Sequence, residues 1–234
     1  MKQVVQIFKK EFYAYFLSPI AYIVISIFLV VTGWFFFSTF FLYGLASMRN
    51  FFTMMPIIFT FVAPAVTMRL FSEELNVGSY ELLLTMPVSI RQVVLGKFLA
   101  GTVFMTMMLL PTISYPLTIS FLGELDWGPV VGGYIGAFLL AGSYCAVGLF
   151  ASSLTRNQII AFIIGLAICF GLTMLNKILF FMPETLLSFL SYLGVDMHFA
   201  NISKGIIDTR DLLYFLSVVF IGLYATHLSI EERC

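Results

Sequence analysis

Charged side chains are scarce in this 234-residue chain: 10% of the residues are Asp, Glu, Lys or Arg, while 61% are hydrophobic. A soluble globule of this size needs more polar surface than that. The formal net charge is zero, so nothing attracts nucleic acid electrostatically. Two histidines cannot by themselves form a metal site with three protein ligands. The composition therefore argues against water as the main solvent and supports neither nucleic-acid binding nor a metal centre.

Sequence features of catalysis are also sparse. The nearest fragment of a phosphate-binding loop, Gly96-Lys97, has no glycine five positions earlier, so the chain is not an ATPase of that class. No aspartate falls in the middle of an apolar run, which disfavours intramembrane hydrolysis. The three cysteines are an odd set, and we interpret Cys145 and Cys169 as small apolar fillers. We expect no enzymatic activity and no cofactor bound by this chain itself.

Successive charged residues are separated in the sequence by long uncharged runs. A bilayer core about 30 Å thick needs roughly 20 consecutive apolar residues per helix. The runs 12–48, 50–68, 98–123, 127–155, 157–176 and 212–230 are long enough. They are apolar on every side, whereas barrel strands alternate. The prediction is an all-α integral membrane protein, with one transmembrane domain over 1–234 and six transmembrane helices.

Three segments outside these spans have their own character. Residues 1–17 carry apolar side chains at helical spacing opposite several lysines, which predicts an amphipathic interfacial helix. Residues 71–90 form a polar interruption between the second and third spans, the most plausible place for contact with another protein, although a merely solvated loop is an equal alternative. Residues 178–211 begin apolar but contain Pro183, Glu184 and Asp196, so we expect short re-entrant helices before the last span.

Prolines, caps and glycines predict local features of the spans. We expect Pro64 to kink the second span, and Pro111 and Pro116 to bend or break the third. Two capping-box patterns open the third and fifth spans, Ser89 with Gln92 and Thr155 with Gln158. The series Gly128, Gly132 and Gly136 has the four-residue spacing that permits close helix packing.

The distribution of lysine and arginine predicts the orientation. With the amino terminus inside, eight of these residues are cytoplasmic and four are outside. The eight are Lys2, Lys9, Lys10, Arg69, Arg91, Lys97, Arg156 and Arg233. Both termini are therefore predicted to be cytoplasmic.

Several motifs resemble those of type 2 ABC transporter (ABC-2) permeases, most closely the gliding-motility-type subunit. The main one is PAVTMRLFSEELNVGSYELLLTMPVS, which begins at Pro64 and is followed by Val94-Leu-Gly-Lys-Phe. Further matches are Ser18-Pro-Ile-Ala-Tyr, Asp126-Trp-Gly-Pro and the run from Gly148 to Gln158. One departure is Asn76-Val77, where relatives tend to carry basic or polar residues before the glycine. The resemblance covers nearly the whole chain.

The resemblance implies that 71–90 contains a cytoplasmic coupling helix that contacts a separate ATPase. Its residues would be Glu73, Glu74, Gly78 and Glu81, closed by Thr85 and Pro87, with Arg156 in a second, smaller contact. It also implies two copies of an ABC ATPase that bind ATP and Mg, a second permease chain as a homodimer, and an inner-membrane location. A membrane protein with a large periplasmic domain often accompanies the gliding-motility type.

Three functional hypotheses remain at this point. The first is an export permease driven by the partner ATPase. The second is a mechanotransmission complex that acts on a periplasmic partner or on lipids without moving cargo across the membrane. The third is an ion-coupled secondary carrier, which the lack of charge within the six runs disfavours.

Overall fold

The computed structural model describes residues 2–43, 47–78, 88–178, 192–206 and 208–233, and every regular element within these ranges is helical. The helices are α1 (Lys2–Leu17), α2 (Pro19–Tyr43), α3 (Arg49–Thr67), α4 (Arg69–Val77), α5 (Ile90–Leu109), α6 (Ser114–Leu122), α7 (Trp127–Leu154), α8 (Gln158–Ile178), α9 (Val195–Ser203) and α10 (Thr209–Glu231). A 3₁₀ turn, Leu110–Ile113, joins α5 to α6.

Within the described residues, six helical segments are long and apolar enough to cross a membrane, which confirms the prediction from the charge gaps. They are Pro19–Leu42, Arg49–Val77, Ile90–Leu122, Trp127–Leu154, Gln158–Leu175 and Thr209–Glu231. The second combines α3 with α4, and the third combines α5 with α6. Helices suit this solvent because they satisfy their own backbone hydrogen bonds in lipid.

The third span breaks where its prolines predict. Helix α5 ends at Leu109, the 3₁₀ turn contains Pro111, and α6 contains Pro116. Thr112 Oγ1 donates to the carbonyl of Leu109 and lies 3.1 Å from the Tyr134 hydroxyl of α7. The irregular backbone therefore packs against another helix, where its polar groups find partners.

Helix α7 lies at the centre of the bundle. Most of its residues are buried, whereas most residues of α2, α8 and α10 are exposed or half-buried. Close packing depends on small residues: a Cβ added to Gly148 would lie 2.0 Å from Thr67 Oγ1 of α3. Helix α7 thus forms the scaffold that α3, α8, α9 and α10 contact.

The amino-terminal helix packs along α5. A Cβ on Gly96 would lie 2.7 Å from the Ile7 side chain and 3.2 Å from the Val4 carbonyl, so the helices touch at this glycine. Tyr15 is buried and stacks on Phe104 with a ring separation of 4.6 Å. The apolar stripe predicted for an interfacial helix is therefore largely used to contact α5.

Candidate functional site

Helices α3 and α4 meet at Met68 with no intervening loop. Helix α3 continues past Pro64 to Thr67, and the Met68 N–H donates to the Pro64 carbonyl at 2.8 Å. The buried Ser152 hydroxyl of α7 accepts from the N–H groups of Phe71 and Ser72 at 3.0 and 3.1 Å and donates to the Met68 carbonyl at 2.7 Å. Ser152 thus anchors the first turn of α4 to the central helix.

A buried lysine joins α4 to two other helices. Lys97 of α5 is 1% exposed, and its Nζ donates to Glu74 Oε1 of α4 at 2.9 Å and to Glu11 Oε1 of α1 at 3.1 Å. The third donation is to the Leu70 carbonyl at 2.6 Å. An ammonium has three N–H donors, so all of them are used. We call Lys97, Glu11, Glu74 and the Leu70 carbonyl the Lys97 junction.

The surroundings of the junction make it costly to open. Both carboxylates are largely buried, and the Phe71 ring centroid lies 5.2 Å from Lys97 Nζ. Lys10, which is mostly exposed, adds a second cation 3.7 Å from both carboxylates. Removing one partner from a buried ion pair typically costs about 3 to 5 kcal/mol, because the other charge stays buried without compensation. Helices α1, α4 and α5 are therefore held together at this point.

A second attachment connects α1 to the end of α3. The Tyr15 hydroxyl donates to the Val66 carbonyl at 3.0 Å, and the Arg69 guanidinium lies 4.7 Å from the centroid of the Tyr15 ring. Burial raises the pKa of Tyr15 well above its usual value, so the phenol stays protonated and remains a donor. Helix α1 therefore contacts the second span on both sides of Met68, through Tyr15 on α3 and through Glu11 at the Lys97 junction on α4.

Among the described residues, the outward face of α4 carries exposed polar side chains together with Val77. Leu70, Phe71 and Leu75 are buried, while Glu73 and Asn76 on the same helix are exposed. Gly78 ends the helix with a φ of 75°, a left-handed conformation that favours glycine. A short helix that is exposed on one face and tied by ion pairs on the other can transmit a push as a rigid body.

The comparison with known families decides what kind of protein this is. Residues 5–228 match the family model described as "ABC-2 family transporter protein". The chain belongs to this family. It is therefore the membrane permease component of an ABC transporter, a multi-pass membrane protein that works with an ABC ATPase subunit. No curated protein matches the chain.

The structure separates the coupling residues predicted for this ABC-2 permease. Glu73 is exposed, whereas Glu74, the next residue, is directed inward to Lys97. Gly78 closes α4. The remaining coupling predictions lie outside the described residues: Glu81, Thr85 and Pro87.

The turn between α7 and α8 exposes Arg156, and its predicted contact with a partner stays a prediction. The capping box predicted there is wrong, because Asn157 caps α8: its Oδ1 accepts from the Ile159 N–H at 2.9 Å. Thr155 instead accepts from the Asn157 N–H at 3.1 Å and shapes the turn. The other predicted box is confirmed, since the Ser89 N–H donates to Gln92 Oε1 at 3.1 Å.

The glycine series of α7 divides into two kinds of position. A Cβ on Gly132 would lie 2.3 Å from the Ile202 carbonyl of α9, and one on Gly136 would lie 3.2 Å from the Ile202 and Phe199 side chains. A Cβ on Gly128 would meet nothing closer than Asp126 Oδ1 at 3.3 Å. Gly132 and Gly136 therefore seat α9 on α7, whereas Gly128 lies at the capped start of the helix.

A second polar cluster lies at the opposite end of α7 from the Lys97 junction. His198 of α9 and Asp211 of α10 are both buried, with Nδ1 and Oδ1 2.6 Å apart, and the Tyr214 ring stacks on the imidazole at 4.1 Å. Nearby, Asp196 lies 4.0 Å from Lys177; burial raises the pKa of this carboxyl and the lysine partly offsets the rise. The cluster fastens α9 to the start of the sixth span.

Two of these residues were detectable in the sequence. Glu11 lies on the apolar stripe of α1, between Phe8 and Phe12, where an acid signals a buried partner. Lys97 lies on the stripe that contains Val93 and Ala100 of α5. Ser152 and the pairing of His198 with Asp211 leave no such signal, because serines and histidines are common near span ends.

Proposed function

We propose that this permease couples ATP hydrolysis on its ABC ATPase to export across the bacterial inner membrane, with α4 as its coupling helix. The observation that carries this proposal is the Lys97 junction. Force on the exposed face of α4 would pass through Glu74 and Lys97 into α5, and through Glu11 into α1. The second and third spans would then move together as the ATPase changes state.

The assembly that suits this function has two permease chains and two ATPase chains. Both termini then lie in the cytoplasm, as do α4 and the turn that contains Arg156. The supporting observation is that α4 and this turn lie at the same end of α7, where Ser152 contacts the start of α4. Helices α2 and α8 both carry exposed apolar residues and so offer surfaces to a second permease chain.

The first test is whether the exposed face of α4 binds the ATPase. Glu73→Lys should abolish co-purification of the ATPase and vanadate-sensitive ATP hydrolysis, while the chain still inserts and elutes as the wild type does. Glu124→Lys is the matched control, because Glu124 is an exposed acid in the loop before α7, at the opposite end of the bundle. Normal ATPase association in Glu73→Lys would refute the assignment of α4.

Transport is tested separately in sealed inside-out vesicles, whose cytoplasmic face is outward, suspended in a small-molecule extract of the source cells. Export predicts that ATP, and not an imposed proton gradient, changes the internal concentration of particular compounds measured by mass spectrometry. ATP hydrolysis without any such change favours mechanotransmission. Movement driven by the proton gradient without ATP favours a secondary carrier.

A further inference from the structure

His198 of α9 has an acceptor at each of its two ring nitrogens. Its Nδ1 lies 2.6 Å from Asp211 Oδ1 at the start of α10, and its Nε2 lies 3.0 Å from the Tyr192 carbonyl in the turn before α9. The opposite orientation of the ring would place carbon atoms against both oxygens, so these two contacts fix the orientation. The imidazole therefore joins three parts of the chain: the turn before α9, α9 itself and α10.

The acceptors determine how many protons this arrangement holds. A carbonyl oxygen can only accept, so Nε2 carries a proton. The contact between Nδ1 and Asp211 Oδ1 needs a second proton, because an imidazole lone pair and an ionised carboxylate repel each other at 2.6 Å. An imidazole binds a proton more tightly than a carboxylate does, which places this proton on the ring. The closed pair is therefore an imidazolium beside a carboxylate, and one of its two hydrogen bonds must break when the ring becomes neutral.

The burial of the pair couples this proton to the packing of α9. Both side chains are buried, and Asp211 Oδ2 has no hydrogen-bond partner among the described residues. The Tyr214 ring stacks on the imidazole at 4.1 Å and covers one of its faces. If the ring lost its second proton while the pair stayed closed, a buried carboxylate would remain without a counter-charge. Closing the pair and binding the proton are therefore linked.

The other charged groups around α9 have partners or lie elsewhere. Among the described residues, no other cation forms an ion pair with Asp211. Asp196 of α9 lies 4.0 Å from Lys177 of α8, and these two charges offset each other. Helix α7 carries no charged residue, and the charged residue of α3, Arg49, lines a different cavity. The charge of the buried carboxylate is therefore balanced by His198.

Protons reach the pair from the surface. His198 and Asp211 both line a cleft of about 180 Å³, together with Asp208 and Arg210 of α10. These last two side chains are exposed and opposite in charge, so water screens them from the buried pair. The cleft lies at the end of α7 opposite the Lys97 junction, the end predicted to lie outside the cytoplasm. The pair therefore faces the acidity of the outer compartment.

We propose that His198 and Asp211 form a proton-dependent latch, which fastens α9 to the start of the sixth span while the ring is doubly protonated and releases it when the ring becomes neutral. An isolated histidine changes its charge at a pH of roughly 6.5, within the range that cells and their surroundings cover. Closure binds a proton, so the latch is most stable at mildly acidic pH and weakens as the pH rises. Since Gly132 and Gly136 seat α9 on α7, release would loosen the end of the bundle opposite the coupling helix.

The test follows the protonation of His198 and the protection of α9 together, in the full chain in lipid bilayers. The background is His227→Gln, which leaves His198 as the only histidine, so ¹⁵N NMR of labelled histidine reports its two ring nitrogens alone. Hydrogen-exchange mass spectrometry gives protection factors for the α9 amides, corrected for the direct effect of pH on exchange. From about pH 5 to about pH 9, we expect the imidazolium signal to disappear and the protection factors to fall about tenfold, with the same midpoint, as the loss of one charge-assisted hydrogen bond implies.

Two variants distinguish a proton switch from a purely structural contact. In Asp211→Asn the amide can donate to the Nδ1 lone pair, so a neutral imidazole closes the latch. Protection should then stay high at alkaline pH and lose its pH dependence, whereas a purely structural contact would be weakened at every pH. His198→Gln removes the titrating ring, and its protection should be independent of pH.

Asp196→Asn is the matched control, because it neutralises the acid of α9 that pairs with Lys177 and leaves the latch intact. Its pH step should keep its size and midpoint, and helicity and elution volume verify that every variant is folded. The proposal is overturned if protection stays constant while the ring loses its proton, or if the ring keeps or lacks its second proton over the whole pH range. It is also overturned if Asp211→Asn retains the pH step. These readouts do not involve ATP, so they leave the proposed coupling function untouched.

Discussion

Glu74 Oε1 lies 2.9 Å from Lys97 Nζ, although one residue belongs to the short helix that ends the second span and the other to the start of the third. The residues between them include the segment 79–87, which lies outside the described ranges. The ion pair therefore fixes the relation between two spans independently of the chain that connects them. Glu11 brings the amino-terminal helix to the same ammonium at 3.1 Å.

Removing the charge at Glu74 should destabilise the protein. In Glu74→Gln the buried ammonium keeps Glu11 and the Leu70 carbonyl but loses its nearest anion. Because Glu11 still compensates the ammonium, we expect the cost of one charge-assisted hydrogen bond, about 2 kcal/mol in the free energy of unfolding, measured by thermal or denaturant unfolding in detergent. Glu73→Gln is the matched control, and a change below about 0.5 kcal/mol is expected because that side chain is exposed. Equal effects in the two variants would contradict the junction.

Ser152→Ala should weaken the start of α4. The variant removes an acceptor shared by the Phe71 and Ser72 N–H groups, in a place that water does not reach. The expected cost is about 2 kcal/mol, with faster hydrogen exchange at the amides of the first turn of α4. Ser153→Ala provides the comparison, since the Ser153 hydroxyl donates within its own helix to Phe150. Unchanged exchange in α4 would refute the anchoring role.

A buried hydroxyl chain should show non-additive effects. Thr173 Oγ1 of α8 lies 2.6 Å from the Tyr144 hydroxyl of α7 and 2.9 Å from Thr60 Oγ1 of α3. Thr173→Val leaves the Tyr144 hydroxyl without this partner and should cost about 1 kcal/mol, in the range of interhelical hydrogen bonds in membranes. The double variant Thr173→Val/Tyr144→Phe should be only slightly less stable than Thr173→Val alone, because the hydrogen bond between the two side chains is already lost. Strictly additive losses in this double-mutant cycle would show that the contact contributes nothing.

Gly132→Ala should separate α9 from α7. The added Cβ would lie 2.3 Å from the Ile202 carbonyl, a backbone atom that cannot rotate away. We expect a loss of roughly 2 kcal/mol, checked by thermal unfolding and by a cysteine crosslink between the two helices. Gly128→Ala, from the same series, should cost much less, because the atom nearest to the added Cβ is Asp126 Oδ1 at 3.3 Å, which belongs to a side chain that can shift by a few tenths of an ångström. Equal behaviour of the two variants would contradict this packing.

The six spans and the break in the third followed from the sequence alone, because their physical causes are local. A charge is expensive in hydrocarbon wherever the chain folds, so the gaps between charges delimit the spans. Pro111 removes a backbone donor whatever surrounds it, so the helix must change there. The predicted face of α1 was largely right for the same reason, since helical periodicity places Phe8, Phe12 and Tyr15 on one side.

Only the tertiary structure decided which polar residues meet. Glu73 and Glu74 are adjacent and chemically identical, yet a rotation of about 100° along the helix exposes one and buries the other against Lys97. The sequence prediction named Thr155 as the capping residue of α8, but Asn157 is the cap. Threonine and asparagine both cap helices, and these two lie only two positions apart, so the local sequence does not decide between them. His198 and Asp211 meet because Gly132 and Gly136 let α9 approach α7. Such pairings depend on contacts between distant helices, and the sequence encodes those contacts only through the packing of the whole bundle.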